Sequence, residues 1–486
     1  MYHLNQDKLP LLEAMKEYAK RDVVSFDVPG HKRGNGIDIL TDYFGDTVMA
    51  LDTNSLPRLD NIGNPTGVIK EAQALLADAY GANEAFFITN GSTSAIHVML
   101  ISVLSPKDKV LMPKNIHKSA LNGLILCGAM PVYMTPEFCP KEGLMKNVTL
   151  GEVTRHLDLN PDVKAVFILN PTYFGHVSDL KEIANLCHKR DVLLLVDEAH
   201  GAHFPFHPAM PLSAMASGAD MSCISIHKTG GALTQASALV IKSDRIDVNR
   251  VKQAVNILQS TSVSYLLMGS LDGARYNLVR NGYMQLEKAM ALSKLAREAL
   301  NEIPGVWVVE EEMFYDVTKL VINVSKLALT GFEVYELLWR EYNIQLELCE
   351  TDHVLAIISL GDETRGIKRL VEAMTAIASK YIAGKYIENT QESHLSPELL
   401  FQNAVVVMCP REAHFGDKEL ILFEDAIGRV AGESIMAYPP GIPIISPGEL
   451  VTTEVICLLK DLKAKKAFIV DNVDAKLENM LVVKEK

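Results

Sequence analysis

From about residue 68 onward, short apolar runs alternate with longer amphipathic stretches, and that rhythm predicts buried strands separated by helices. A helix at 69–80 precedes a strand at 85–89. The chain then turns at Asn90-Gly91 into a helix that opens on Ser92-Thr93-Ser94 and runs to about residue 104. Further strands are expected at 109–112, 130–134, 163–169, 192–196, 221–226 and 238–241, with helix-like stretches such as 180–189 between several of them. This is the pattern of an α/β protein with a mainly parallel sheet covered on both faces, where ligands bind beyond the carboxyl ends of the strands. A long helical stretch follows at 264–303, with glycines 269, 273 and 282 arguing against a straight rod. The alternation then repeats on a smaller scale: strand 319–324, helix 331–342, strands 344–350 and 354–360, helix 363–380.

The two ends of the chain break this rhythm. The first seventy or so residues hold one amphipathic helix, at 11–19, and then turn-rich segments around Pro29-Gly30-His31-Lys32-Arg33-Gly34 and Asn61-Ile62-Gly63-Asn64-Pro65. Such a segment has little apolar surface for its own core and is expected to be an arm packed on another domain or subunit. Residues 387–394 are polar and linker-like. A final region carries the turn-rich Tyr438-Pro439-Pro440-Gly441-Ile442-Pro443 and Ser446-Pro447-Gly448-Glu449. The expected division is an arm at 1–67, a large α/β domain at 68–316, a smaller α/β domain at 317–385 and a carboxy-terminal α+β domain at 398–486.

Composition narrows the function classes. At 486 residues the chain is long enough for several cores, and 48% hydrophobic with 22% charged residues is ordinary for a globular enzyme. No apolar run is long enough to span a membrane, and the start lacks a secretory signal. The seven cysteines are scattered without a CxxC pair, so no disulfide framework or zinc knuckle is implied and a reducing cytoplasm fits. A net charge of −13 without a dense basic stretch argues against a nucleic-acid partner. The same acidity could attract a cationic amino acid or simply maintain solubility.

The candidate chemistry lies in two strings. Lys228, in Ser225-Ile226-His227-Lys228-Thr229-Gly230-Gly231, follows Asp197, in Asp197-Glu198-Ala199-His200-Gly201, by thirty-one positions. An amine nucleophile and a carboxylate at strand ends are what a pyridoxal 5′-phosphate (PLP) enzyme needs. The lysine holds the cofactor aldehyde as a Schiff base, and the aspartate keeps the ring nitrogen protonated so that the ring can accept electrons. Alone, Lys228 would read as a solvated surface residue and Asp197 as a helix cap in a βα loop. Gly91-Ser92-Thr93 opens a helix directly after a strand, which suits a phosphate, although an ordinary N-cap explains one serine equally well. His117 is by itself a loop histidine. His200, His203 and His207 superficially suggest a metal site, but Gly201, Pro205 and Pro208 interrupt the helix such a site would need, and no metal is expected. His200 is read as supporting Asp197 or touching the cofactor.

These strings resemble the PLP-dependent ornithine/lysine/arginine decarboxylases with the aspartate-aminotransferase type of fold, most of all the short bacterial arginine decarboxylases. The resemblance spans essentially the whole chain. It rests on residues 223–237 and on Phe26-Asp27-Val28-Pro29-Gly30-His31-Lys32, Asn170-Pro171-Thr172-Tyr173-Phe174-Gly175, Asp197-Glu198-Ala199-His200-Gly201 and the Tyr438 segment. The lysine motif departs from the family only in Cys223, at a position that is usually small.

The resemblance implies that Lys228 bears the cofactor, Asp197 pairs with its ring nitrogen and His117 stacks on the ring. It also implies that Gly91, Ser92, Thr93, Ser225 and His227 surround the phosphate, and that Ser260, in Ser260-Thr261-Ser262, reaches the phosphate of a neighbouring subunit. A homodimer or higher homo-oligomer with shared active sites follows, acting on a small basic amino acid. The chain begins at the arm, without the amino-terminal wing of larger family members, which favours a dimer or tetramer and a role in polyamine synthesis over acid resistance. The expected reaction is arginine to agmatine and CO2. Lysine or ornithine decarboxylation stands next, another PLP lyase or transferase after that, and a non-catalytic PLP-binding protein last. Asp60, Glu424 and Glu449 are candidate readers of the substrate's distal group, and His31 is read equally as bordering the site or as structural.

Overall fold

Helix Gly91–Val103 follows strand Glu84–Ile88 with only two residues between them, the strand-turn-helix unit expected at Asn90-Gly91. The computed structural model describes residues 2–310, 314–382, 404–437, 441–464 and 469–485. The linker 387–394, the expected boundaries at 385 and 398, and Tyr438, Pro439 and Pro440 lie outside the described residues. The chain forms two units, one of residues 1–103 and 195–284, the other of 104–194 and 285–486.

In the first unit, strand Ser237–Ile241 lies between Glu84–Ile88 and Met221–Ile224, antiparallel to both. Met221–Ile224 then pairs in parallel with the strand Leu193–Asp197, with Asp197 opposite Cys223. These strands are almost wholly buried, as their unbroken apolar runs predict. The antiparallel strand makes this part of the sheet mixed. In the second unit, Lys109–Pro113 lies between Met130–Met134 and Ala165–Leu169, parallel to both. Helices follow or separate these strands, so the architecture is α/β.

Helix Tyr265–Asn301 starts in the first unit and continues into the second without a break, despite its glycines. Close packing explains them. A Cβ on Gly269 would come within 2.8 Å of Met15 Sδ, and one on Gly282 within 3.1 Å of Phe206 Cβ. Met15 belongs to the arm helix Pro10–Lys20, which thus lies directly against the long helix. Arg275 and Asp272 of the long helix, both fully buried and 2.7 Å apart, tie down the arm further. Arg275 donates to the carbonyls of Gln6 and Lys8, while Asp272 accepts from the Leu11 and Leu12 amides. The arm also forms the short helices Asp38–Phe44 and Asp46–Leu51, so it is less irregular than expected.

The second unit also holds a four-stranded antiparallel sheet ordered Trp307–Val308, Lys319–Asn323, His353–Ile357, Leu348–Cys349. Helices Gly331–Tyr342 and Thr364–Tyr381 share an apolar core with it. The strand expected at 344–350 shrinks to two paired residues. The helix before it ends on Asn343 in the left-handed conformation, and the ladder with residues 353–357 is short. Farther along the chain, Lys418–Leu422 pairs with Asn479–Val483, and Ile435–Ala437 lies between Ile442–Ile445 and Ile469–Val470. Ile435, Ile445, Leu459 and Met480 centre a separate core there.

Candidate active site

Three strand ends of the first unit bring the candidate residues together. Cα pairing sets Ile88 beside Ser237 and Ile224 beside Ala238, so the chain leaves strands 84–88 and 221–224 on the same side of the sheet. The entry into strand 237–241 links the two exits. Gly91 N donates to Gln235 O at 3.0 Å, and His227 N donates to Ala236 O at 3.2 Å. The helix-opening turn and the lysine motif are therefore neighbours, joined through residues 235–236.

Lys228 stands in the single helical turn Ile226–Thr229 that follows Ser225. Its Nζ is 2.8 Å from His200 Nε2. His200 is buried at the turn that follows Asp197. Asp197 is 2% exposed, and its Oδ1 accepts from Ala199 N at 3.1 Å and from the Cys223 thiol at 3.4 Å. Burial raises the Asp197 carboxyl above the ordinary range, against the opposing pull of the Ala199 amide, the Lys228 charge and Cys223. The neighbouring Glu198 is buried too. It accepts from Ala214 N at 2.7 Å and Ser222 Oγ at 3.4 Å, and desolvation pushes it up to about 8.

The residues expected to hold an anion lie close by in the same unit. Gly91 has φ +73°, a conformation that favours glycine, and a Cβ there would meet only open space. Ser92 and Thr93 occupy the first turn of helix Gly91–Val103, where free backbone amides face an incoming anion. Ser225 Oγ and Thr229 Oγ1 are buried without a hydrogen-bond partner among the described residues. His227 Nδ1 lies 3.0 Å from Ala236 O. Hydroxyl donors without acceptors, next to an open helix terminus, fit the phosphate of PLP, and an amine beside a buried carboxylate fits its ring.

Ser260 is exposed, and its Oγ accepts from Ser262 N at 3.1 Å. The adjoining Gln259 reaches Thr89 N at 3.2 Å, at the end of strand Glu84–Ile88. His117 belongs to the second unit. It caps helix Lys118–Cys127, its Nδ1 accepting from Ser119 N, and its ring lies 6.5 Å from that of Tyr173. His203 packs against Phe204 and His207 against Tyr283. His31 lies 3.1 Å from Asp52.

Each of the three candidate readers of the distal group has protein partners of its own. Asp60 accepts the amides of Asn61, Thr66, Gly67 and Ile69, ordering the loop before helix Val68–Ala79. Glu424 forms a surface pair with Lys460. Glu449 is buried against Lys114, whose Nζ lies 4.6 Å from the Tyr133 ring centroid. The sequence reading passed over Lys114, and it treated Cys223 only as a small residue and Glu198 only as part of a motif. Cross-strand register and burial reveal these roles, and neither is visible along one chain.

The match to a family model spans most of the chain. Residues 9–310 match the Orn/Lys/Arg decarboxylase major domain, and residues 393–470 match the C-terminal domain of the same family. The chain is 40% identical to the arginine decarboxylase of Halalkalibacterium halodurans over 94% of each protein. It is 39% identical to the arginine decarboxylase of Bacillus subtilis over 98% of this chain and 95% of that one. Its fold is similar to that of the lysine decarboxylase LdcF of Francisella novicida, with a TM-score of 0.83 at 19% identity over 97% of this chain and 80% of that one.

Proposed function

The chain belongs to the Orn/Lys/Arg decarboxylase family and is a carboxy-lyase, and from that premise we propose that it uses PLP on Lys228 to convert L-arginine to agmatine and CO2. The observation that carries the reading is the Lys228–His200 contact of 2.8 Å on the same sheet end as the buried Asp197. The arginine preference is supported by relatives near 40% identity that are arginine decarboxylases along nearly their whole length.

PLP supplies an aldehyde that amines can join and a protonated ring that accepts the electron pair of the bond broken at the substrate α-carbon. The protein's residues do the rest. His200 Nε2, 2.8 Å from Lys228 Nζ, would orient the amine. Asp197 would hold the ring-nitrogen proton by a charge-assisted hydrogen bond. The Gly91 turn, Ser92, Thr93, Ser225 and His227 would hold the phosphate and so restrict how the cofactor sits. His117 is assigned to the ring face and Ser260 to the phosphate of a partner subunit.

The same proposal extends to the homo-oligomer, the four-part domain division and a cytoplasmic place in polyamine synthesis. Exposed apolar arm residues support the first, Phe26 at 95% and Tyr43 at 83%. Seven free thiols support a reducing compartment.

The test is an amine-product assay that offers arginine, lysine and ornithine separately to wild type and Lys228→Ala. Agmatine from arginine is expected from the wild type, with a loss of roughly a thousandfold or more in the variant. Undiminished turnover by Lys228→Ala, or cadaverine or putrescine as the favoured product, would overturn the corresponding part of the reading.

A further inference from the structure

Asp197 stands out because its two carboxylate oxygens are used unequally. Oδ1 accepts the Ala199 amide at 3.1 Å and the Cys223 thiol at 3.4 Å, whereas no described group donates to Oδ2. Cys223 lies directly across the parallel ladder from Asp197, and both side chains are buried, Cys223 at 0% and Asp197 at 2% exposure. The register therefore sets the two residues side by side, and the thiol makes the contact.

We propose that Cys223 is a positioning residue for the cofactor's ring-nitrogen partner: its S–H occupies Asp197 Oδ1 and thereby turns Oδ2 toward the ring. This rests on the reading of Asp197 given above and adds a role for a residue that the sequence pattern treats only as small. The thiol stays a donor throughout the working pH range, because burial and the adjacent carboxylate push it well above the ordinary cysteine value.

The groups around Asp197 set the direction of the effect. Lys228 and the Ala199 amide favour the carboxylate, as does the Cys223 thiol, while burial opposes it. Glu198, on the same strand end, is itself pushed toward its neutral form by burial and by Asp197. His200 lies against Lys228. With Cys223→Ala the carboxylate loses one of its few supports and takes up a proton at higher pH. A neutral carboxyl is a poor partner for a protonated ring nitrogen, so cofactor affinity should fall, and fall further as the pH is lowered. Cys223→Ser keeps a donor and should restore both properties.

Two measurements test this. The first is infrared difference spectroscopy of the apoprotein, wild type minus Cys223→Ala, which isolates the S–H stretch of this one thiol. A hydrogen-bonded, down-shifted band is expected that moves to the free-thiol position in Asp197→Ala. A band already at the free position, or one indifferent to Asp197, sinks the proposal. The second is PLP binding to apoprotein across pH for wild type, Cys223→Ala and Cys223→Ser. About a fivefold weaker affinity is expected for the alanine variant near neutral pH, the scale of one lost hydrogen bond, growing toward acid and absent in the serine variant. Equal affinity in wild type and Cys223→Ala, or a loss in Cys223→Ala that is independent of pH and not rescued by serine, refutes it. The infrared measurement needs no bound cofactor and no turnover, so it separates failure of this contact from failure of the decarboxylase assignment.

Discussion

Glu198 keeps its proton through neutral pH because burial pushes its carboxyl up to about 8. The folded state therefore binds this proton more tightly than the unfolded chain does, and stability falls as pH rises from the ordinary glutamate range to about 8. Glu198→Gln removes that loss while preserving the acceptor for Ala214. The variant should unfold above the wild type at about pH 9, by roughly 2 kcal/mol or more, and match it at about pH 5; thermal melts at both pH values check this. The buried Lys114–Glu449 pair makes a separate demand. Glu449→Gln strands a charge and should cost about 3–5 kcal/mol by denaturant unfolding, whereas an apolar replacement of both partners should recover most of it. At this scale Lys228, Asp197 and the Gly91 turn were singled out by the residue types that flank them in sequence. Cys223 and Lys114 were not, since each meets its carboxylate across a ladder or over 335 positions of chain.

Glycines in helices carry opposite instructions depending on what faces them. A Cβ on Gly366, in helix Thr364–Tyr381, would touch nothing within 4 Å, while on Gly282 it would press on Phe206 at 3.1 Å. Gly366→Ala should therefore stabilise by about 0.5–1 kcal/mol, and Gly282→Val should destabilise by about 1–3 kcal/mol; equilibrium unfolding distinguishes them. The same packing explains why the long helix runs unbroken where its glycines suggested bends. Strands came through well from the sequence, since runs such as Ala165–Leu169 are buried at every position. Several helices were passed over. Lys118–Cys127 is buried nearly all round and so lacks a polar stripe. Leu150–Leu159 and Val248–Leu258 did carry readable signals, the caps Thr149 and Asp247.

For the molecule as a whole, the arm is where assembly can be tested. It is pinned at its start by Arg275 and Asp272, yet Val24, Phe26, Ile39 and Tyr43 remain mostly exposed. Replacing Phe26 and Tyr43 together by Asp should shift sedimentation toward the monomer and lower cofactor retention. No helix among the described residues is long and apolar enough to cross a membrane. Strand Ser237–Ile241 joins the two halves of the anion site by running between strands that lie far apart in sequence. A nascent chain therefore cannot bring those two halves together until that segment has left the ribosome and paired with both strands. Closure there is a property of the assembled sheet, which no single segment of the chain carries by itself.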